Sequence, residues 1–228
     1  ASIYGSRASN GVIIITTKKG TQDKIKVSYN STYTYKDPYK RIEVMGADEF
    51  RQAVTQQYAE GTALGDAARN LINMYPEQST DWQDAIYHGG MRTDQNIAVA
   101  GKVGFLPFRV SFGYNKERGT LKTSDYERYT LSLNLSPKFF DNHLSVDVNV
   151  KGTINNNRFA DSGAVGAAAF YDPTKPIYGI DTADPAYASK IYNFNEYWNW
   201  SNGENNPNTL SAVNPLSLLY DVNNSGKT

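Results

Sequence analysis

Residues 129–136 read YTLSLNLS, and this stretch decides the fold class. Apolar and polar side chains alternate at every position in it. A period of two places the apolar side chains on one face of a β-strand and the polar ones on the other, whereas a helix repeats about every 3.6 residues. The stretch therefore predicts a strand with one apolar and one polar face.

The same alternation recurs on both sides of this stretch. Residues 108–116 and 144–151 alternate in the same way, with valine, leucine and aromatic side chains on one face. Two further strands are predicted at 24–35 and 95–101. Consecutive strands of this kind cannot be read as helices, and they predict an all-β, antiparallel sheet.

The connections between these strands alternate in length. Residues 102–107 and 137–142 form short turns, whereas 39–94, 117–128 and 155–228 form long segments. Short turns on one side and long loops on the other are typical of outer-membrane β-barrels. A soluble sheet whose strands follow one another has no reason to keep this asymmetry.

Aromatic side chains cluster near both ends of the predicted strands. One cluster lies at the short turns and the other at the long loops: Phe105, Phe108, Phe139 and Phe140, and Tyr114, Tyr126 and Tyr129. Two aromatic belts that bound an apolar band suit a strand that crosses a bilayer. The alternative is a soluble β-sandwich with aromatic residues at its strand ends.

The long segment 39–94 contains a helical pattern. Asp48 is a candidate N-cap for a helix whose apolar residues recur at every fourth position, namely Phe50, Val54 and Tyr58. A second helix is predicted over 66–75, before Pro76. We therefore expect a helical insertion between the first two strands of the sheet.

The composition excludes several functional classes. The 228 residues have a formal net charge of zero, which argues against a nucleic-acid-binding protein. No cysteine is present, and the two histidines are too few for a structural zinc site. No nucleophile, base and orienting group recur in a catalytic pattern. We expect no enzymatic activity, no metal site and no cofactor.

Three stretches carry motifs specific enough to indicate a family. They are residues 1–20 (ASIYGSRASNGVIIITTKKG), residues 81–87 (DWQDAIY), and residues 111–129 with SFGYNKERGTL followed by SDYERY. Together they resemble the SusC/RagA family of TonB-dependent outer-membrane transporters. The resemblance extends over about residues 1–152.

This resemblance implies how the chain is organised. Residues 1–22 would form the C-terminal end of a plug domain, with its last strand in the β-branched run at 12–17. Residues 23–228 would form the N-terminal part of a transmembrane barrel, with extracellular loops at 39–94 and 155–228. The chain would hold about five strands of a barrel of about 22. The missing strands and most of the plug would belong to a longer protein.

The resemblance also implies a function and partners. The whole protein would import oligosaccharides or peptides across the outer membrane of a Gram-negative bacterium. It would be energised by TonB, would contact outer-membrane lipid, and would work with a SusD-like surface lipoprotein. No bond would be broken and no nucleic acid bound. The alternative is a soluble secreted β-domain that binds carbohydrate or mediates adhesion.

Two groups of residues are candidate contact sites. An aromatic and amide-rich segment could stack on sugar rings, contact a partner protein or pack on itself: Tyr192, Tyr197, Trp198, Asn199 and Trp200. Tyr4, Arg7 and Asn10 lie in the predicted plug segment. The resemblance implies that they contact the inner wall of the barrel, where Arg7 could pair with an acidic side chain. The alternative is a solvated Arg7 without such a pair.

Overall fold

A computed structural model describes residues 24–38, 40–179, 197–199 and 213–228. The predicted plug segment, with Tyr4, Arg7, Asn10 and the strand at 12–17, lies outside the described residues. Tyr192 and Trp200 also lie outside them.

The chain is mainly an antiparallel β-sheet with a few helices, which confirms the predicted fold class. The strands are β1 (Lys26–Lys36), β2 (Gly90–Val103), β3 (Leu106–Arg118), β4 (Asp125–Leu135), β5 (Lys138–Phe139), β6 (Leu144–Ser145), β7 (Val148–Phe159) and β8 (Asn224–Lys227). Six of them form one sheet in the order β1-β2-β3-β4-β7-β8, and β5 pairs with β6. The sheet is open in this chain, with β1 and β8 at its edges.

The strands reach further into polar sequence than alternation predicts. β2 begins at Gly90 rather than Gln95, and β3 ends at Arg118. Hydrogen bonds and ion pairs between polar side chains account for this extension, because Lys36 of β1 and Arg92 of β2 both pair with Glu117 of β3. Alternation of apolar residues cannot reveal such partners, since they lie far apart in sequence.

The predicted strand over 144–151 is wrong in its bounds. Residues 144–145 belong to the small hairpin with β5, and the long strand β7 starts only at Val148. The hairpin turn places Phe140, Asp141 and Asn142 at positive φ, a local conformation that the apolar pattern does not encode. β7 then continues to Phe159, into the segment predicted as a loop.

The described residues divide between two compact units. The sheet unit takes them from Ala1–Ser31, Gln95–Tyr114 and Tyr129–Thr153. The helical unit takes them from Thr32–Asp94, Asn115–Arg128 and Ile154–Thr228. Each long strand of the pattern contributes residues to both units.

The sheet unit exposes an apolar row. Val110 is 38% exposed and Leu131 is 56% exposed, and neighbouring rings on this row touch, with 6.4 Å between the centroids of Phe112 and Tyr129. These exposed fractions for Val110 and Leu131 already include the cover that the other described residues of the unit provide. Strands that meet hydrocarbon on one face are expected to leave such a row uncovered by their own chain.

The helical unit holds five helices among the described residues. They are α1 (Ala47–Gln57), α2 (Ala63–Ile72), α3 (Trp82–Ile86), α4 (Gly163–Phe170) and α5 (Pro215–Tyr220). The predicted cap at Asp48 is wrong, because Gly46 is the N-cap and its N–H donates to Oε2 of Glu49 at 3.2 Å. α3 and α5 are too short to show an apolar period, and α4 is rich in glycine and alanine, so sequence patterning missed all three.

No helix in the described ranges combines the length and the apolar character needed to cross a membrane.

Candidate functional site

The hydrophobic core lies in the helical unit and joins the two predicted loop segments. Its buried members are Trp82, Ile86, Ala164, Ala168, Tyr171, Trp198, Leu216 and Leu219. Trp82 and Ile86 come from the segment 39–94, and the other six come from 155–228. Described residues of the two long segments therefore share one core.

Trp198 is at the centre of this core. Its side chain is 0% exposed, and its indole ring meets Tyr75 and Tyr171 edge-on at centroid distances of 6.4 and 6.3 Å. The indole Nε1 donates to the hydroxyl of Tyr75 at 3.2 Å. The carbonyl of Trp198 accepts from the Tyr171 hydroxyl at 2.9 Å and from Asn214 Nδ2 at 3.0 Å. Trp198 is thus a packing residue with its polar groups satisfied.

Asn199 is buried beside it and bonds within the protein. Its Oδ1 accepts from the backbone N–H of Asn214 at 2.6 Å, and its Nδ2 donates to the carbonyl of Tyr197 at 3.1 Å. These contacts correspond to the alternative in which the aromatic segment packs on itself. That Trp198 or Asn199 contacts a ligand or partner stays a prediction.

Tyr197 belongs to a group of three near-parallel rings. Its ring lies 5.4 Å from that of Tyr178 at an interplanar angle of 28°, and 6.5 Å from that of Tyr220 at 16°. Tyr178 is 55% exposed and Tyr220 is 45% exposed. We call these three residues the tyrosine stack. Exposed rings with hydroxyl groups offer an apolar surface and hydrogen bonds together, which suits a sugar or an aromatic side chain.

A buried cation lies next to the core. Lys175 is 0% exposed, and its Nζ donates to the carbonyl of Leu71 at 2.6 Å and to Oγ1 of Thr174 at 2.8 Å. Oδ2 of Asp172 lies 3.2 Å from the same Nζ. Burial lowers the pKa of Lys175, and the carboxylate of Asp172 acts in the opposite direction.

The segment around Lys175 is fastened to the start of α3. Trp82 Nε1 donates to the carbonyl of Asp172 at 3.0 Å, and Thr80 Oγ1 donates to the carbonyl of Lys175 at 2.7 Å. Oδ1 of Asp172 accepts from both the N–H and the hydroxyl of Thr174, at 2.8 and 2.7 Å. Sequence reasoning missed this cluster because a buried lysine looks like any surface lysine until its partners are known.

A groove of about 680 Å³ opens on the helical unit between the segment 41–46 and the end of α4. The side chain of Gln83 holds one wall, accepting from the N–H of Ile42 at 2.9 Å and donating to its carbonyl at 2.7 Å. Val44, Met45 and Phe170 line the groove and are exposed. The groove is therefore mainly apolar where it meets solvent.

A network of charges joins the ends of β1, β2 and β3 in the helical unit. Lys36 pairs with Glu117, and Arg92 donates to Asp94 at 2.7 Å and lies 3.7 Å from Glu117. Asn115 donates to Asp94. Alternation places these side chains on the face opposite to the apolar row. The charges of Lys36, Arg92, Asp94 and Glu117 therefore neutralise one another within the protein.

None of these clusters has the composition of a metal centre. In the part of the chain that the structure describes, no three His, Asp or Glu side chains converge as ligands would.

Comparison with known proteins gives close relatives for most of the chain. No protein-family model matches it. The chain is 40% identical over 226 residues to the TonB-dependent receptor SusC of Bacteroides thetaiotaomicron. This match covers 96% of the chain and 21% of the receptor. It is 34% identical over 137 residues to a TonB-dependent receptor of Formosa agariphila, covering 59% of this chain and 12% of that one.

The fold is also found in a solved transporter. The structure of the RagAB peptide importer in its open-open state matches 70% of this chain and 21% of the importer chain, with a TM-score of 0.54 and 24% identity. The closed-closed state gives a TM-score of 0.53 and 23% identity. The chain spans about a fifth of the length of SusC and of the importer chain.

Proposed function

Because the chain belongs to the SusC/RagA family of TonB-dependent receptors, we propose that it is part of an active importer in the outer membrane of a Gram-negative bacterium. The observation that carries this proposal is the exposed apolar row of the sheet unit, backed by a polar face. The outer wall of an importer barrel contacts hydrocarbon, and its inner wall contacts water. A strand with strictly alternating residues has an apolar face for the first and a polar face for the second.

The proposed mechanism is gating. Residues 1–22 would be the end of the plug, and TonB would act on a segment of the plug to open a path through the barrel. Contacts of Tyr4, Arg7 and Asn10 with the barrel wall would help to seat the plug. No described residue is assigned a catalytic role, since transport needs a change of position and no change of covalent bonds.

A SusD-like lipoprotein is proposed as the partner on the extracellular side. The support is that the described residues of 39–94 and 155–228 share a buried core and form an apolar groove on the surface of the helical unit. Exposed apolar surface of this kind is typical of protein interaction sites. The soluble β-domain remains the second candidate, but in a soluble domain the exposed apolar row of the sheet unit would contact water.

Oligosaccharides or peptides are the proposed substrates. The tyrosine stack is the proposed contact site, because Tyr178 and Tyr220 present exposed rings on either side of Tyr197. Tyr197 was a candidate from sequence, whereas Tyr178 and Tyr220 were not. Their pairing joins positions up to 42 residues apart (220 − 178), which no local pattern reveals.

Uptake by cells tests the proposal. Cells that lack the gene are expected to lose uptake of at least one member of a panel of fluorescent oligosaccharides and peptides. The full-length gene should restore uptake only when TonB is intact and the proton gradient is present. Uptake that survives loss of TonB, or a full-length protein found in the secreted soluble fraction, would contradict the importer.

Binding of the imported substrate to the purified full-length protein tests the tyrosine stack. Replacing Tyr178 and Tyr220 together by alanine should weaken binding of the imported substrate by about tenfold, at about 0.5–1.5 kcal/mol per ring contact. The matched control replaces both by phenylalanine, which keeps the rings and removes the hydroxyls. Unchanged affinity in the alanine variant would remove the stack from the site while leaving the importer proposal intact.

A further inference from the structure

A shallow cavity of about 380 Å³ opens near the ends of β3, β4 and β7 in the helical unit. Five polar side chains line it from the same face of the three strands, namely Lys116, Asp125, Glu127, Asn156 and Arg158. Asn156 Nδ2 and Oε2 of Glu127 lie 3.4 Å apart, which links β7 to β4 across the cavity. The cavity is therefore a defined feature of the sheet surface, lined by charges of both signs.

These side chains lie on the apolar face of their strands. Every second residue of a strand shares a face, so Lys116 follows Phe112 and Tyr114 along β3. Glu127 precedes Tyr129 and Leu131 along β4 in the same way. On both strands the face changes from apolar to charged just past an aromatic residue. A strand that leaves hydrocarbon for the head-group layer is expected to change in this manner.

The two cations of the cavity have no ion-pair partner among the described residues. Neither Lys116 nor Arg158 makes an ion pair or a side-chain hydrogen bond with any residue that the structure describes. On the opposite face, at the ends of β1 and β2, Lys36 and Arg92 are instead both paired with carboxylates. The outward cations are thus available to an anion from outside the chain.

We propose that this cavity binds the phosphorylated sugar head group of a glycolipid in the outer leaflet. The phosphate would lie between Lys116 and Arg158, whose ammonium and guanidinium groups both bind phosphate oxygens. Asp125 and Glu127 would accept hydrogen bonds from the sugar hydroxyls, and the amide of Asn156 would accept or donate them. The inference rests on the proposed membrane location and adds a lipid ligand to it.

Two observations favour a lipid over a free anion. Asp125 and Glu127 place negative charge beside the two cations, which disfavours a small phosphate ion without other contacts. In sequence, the positions that adjoin the cavity on the same strand face are aromatic or aliphatic, namely Phe112 and Tyr114 before Lys116 and Tyr129 and Leu131 after Glu127, which is the order expected where a strand passes between hydrocarbon and the head-group layer. The phosphate and hydroxyl groups of such a lipid match the cations and polar side chains of the cavity, and its hydrocarbon matches the apolar sequence that precedes Lys116 on the same strand face.

Lipid binding by the full-length protein tests the proposal. The protein is purified from outer membranes in detergent, and bound lipid is titrated by native mass spectrometry with diphosphorylated lipid A. The double variant Lys116→Gln with Arg158→Gln is expected to bind at least about tenfold more weakly. Each Lys or Arg near an anionic lipid surface strengthens binding by about fivefold, and the variant loses two of them. Lipid A without phosphates should bind the unaltered protein as weakly as the variant binds the phosphorylated form.

The matched control removes two cations from the polar face of the same strands. Arg109→Gln with Lys151→Gln changes the net charge equally and should leave lipid A binding unchanged. Equal losses in both double variants, or equal binding of lipid A with and without phosphate, would overturn the site. Competition by inorganic phosphate at equal concentration would show a free-anion site and overturn the lipid assignment. A protein absent from outer membranes would instead overturn the proposed function.

Discussion

Replacing Trp198 by alanine is expected to destabilise the helical unit by about 3–5 kcal/mol, the usual cost of removing a buried large aromatic side chain. The indole contacts two aromatic rings and donates a hydrogen bond, so its loss leaves a cavity and an unpaired hydroxyl on Tyr75. Because Trp198 joins 155–228 to 39–94, the opening should extend through both segments.

Hydrogen exchange of the full-length protein, followed by mass spectrometry, measures this effect. Peptides that contain α3 and α4 should exchange faster by about two to four orders of magnitude, as a free-energy change of about 3–5 kcal/mol implies. Peptides from the sheet-unit part of β3 and β4 should exchange as in the unaltered protein. Trp198→Phe is the control, since it keeps a ring and loses mainly the hydrogen bond. Unchanged exchange in the alanine variant would mean that Trp198 does not anchor the core.

Replacing Lys175 by methionine is the second large change. Methionine has a similar length but leaves Asp172 buried without its cation, and breaking one partner of a buried ion pair costs about 3–5 kcal/mol. The carbonyl of Leu71 also loses its donor. Exchange should therefore accelerate in the peptides around residues 71 and 172. Adding Asp172→Asn to this variant should recover part of the loss, because no unpaired charge then remains.

The pH dependence of stability provides an independent check on Lys175. Its pKa is lowered from 10.5 because burial disfavours the charged form. The unfolded chain therefore binds more protons than the folded one between the lowered pKa and 10.5, and the stability of the helical unit should rise with pH across that window. The methionine variant should lack this rise. If the stability of the unaltered protein and of the methionine variant rises equally with pH, another titrating group causes the rise.

The strand pattern could be predicted from sequence because its cause is local. In residues 129–136 each apolar side chain alternates with a polar one, and that alternation alone defines two faces. The motifs in residues 1–20, 81–87 and 111–129 indicated the family. Both conclusions required only residues near one another in the chain.

The candidate sites could not be predicted as well, because they depend on distant contacts. From sequence, Trp198 could stack on a sugar, contact a partner or pack the long segment on itself, and its contact with Tyr75, 123 residues away, is one that no local pattern reveals. The buried state of Lys175 depends on Leu71, 104 residues away. The ends of β2 and β3 are polar in sequence, so ion pairs across strands rather than an apolar period define them.

The central claim is that the apolar row of the strands faces lipid while the polar row faces water. Single spin labels at positions 130–135 of β4, in the full-length protein in bilayers, test it by comparing accessibility to oxygen and to a water-soluble nickel chelate. Labels at 131, 133 and 135 should be more accessible to oxygen, and those at 130, 132 and 134 to the chelate. Labels at 131, 133 and 135 that neither reagent reaches would indicate a closed protein core and contradict the account.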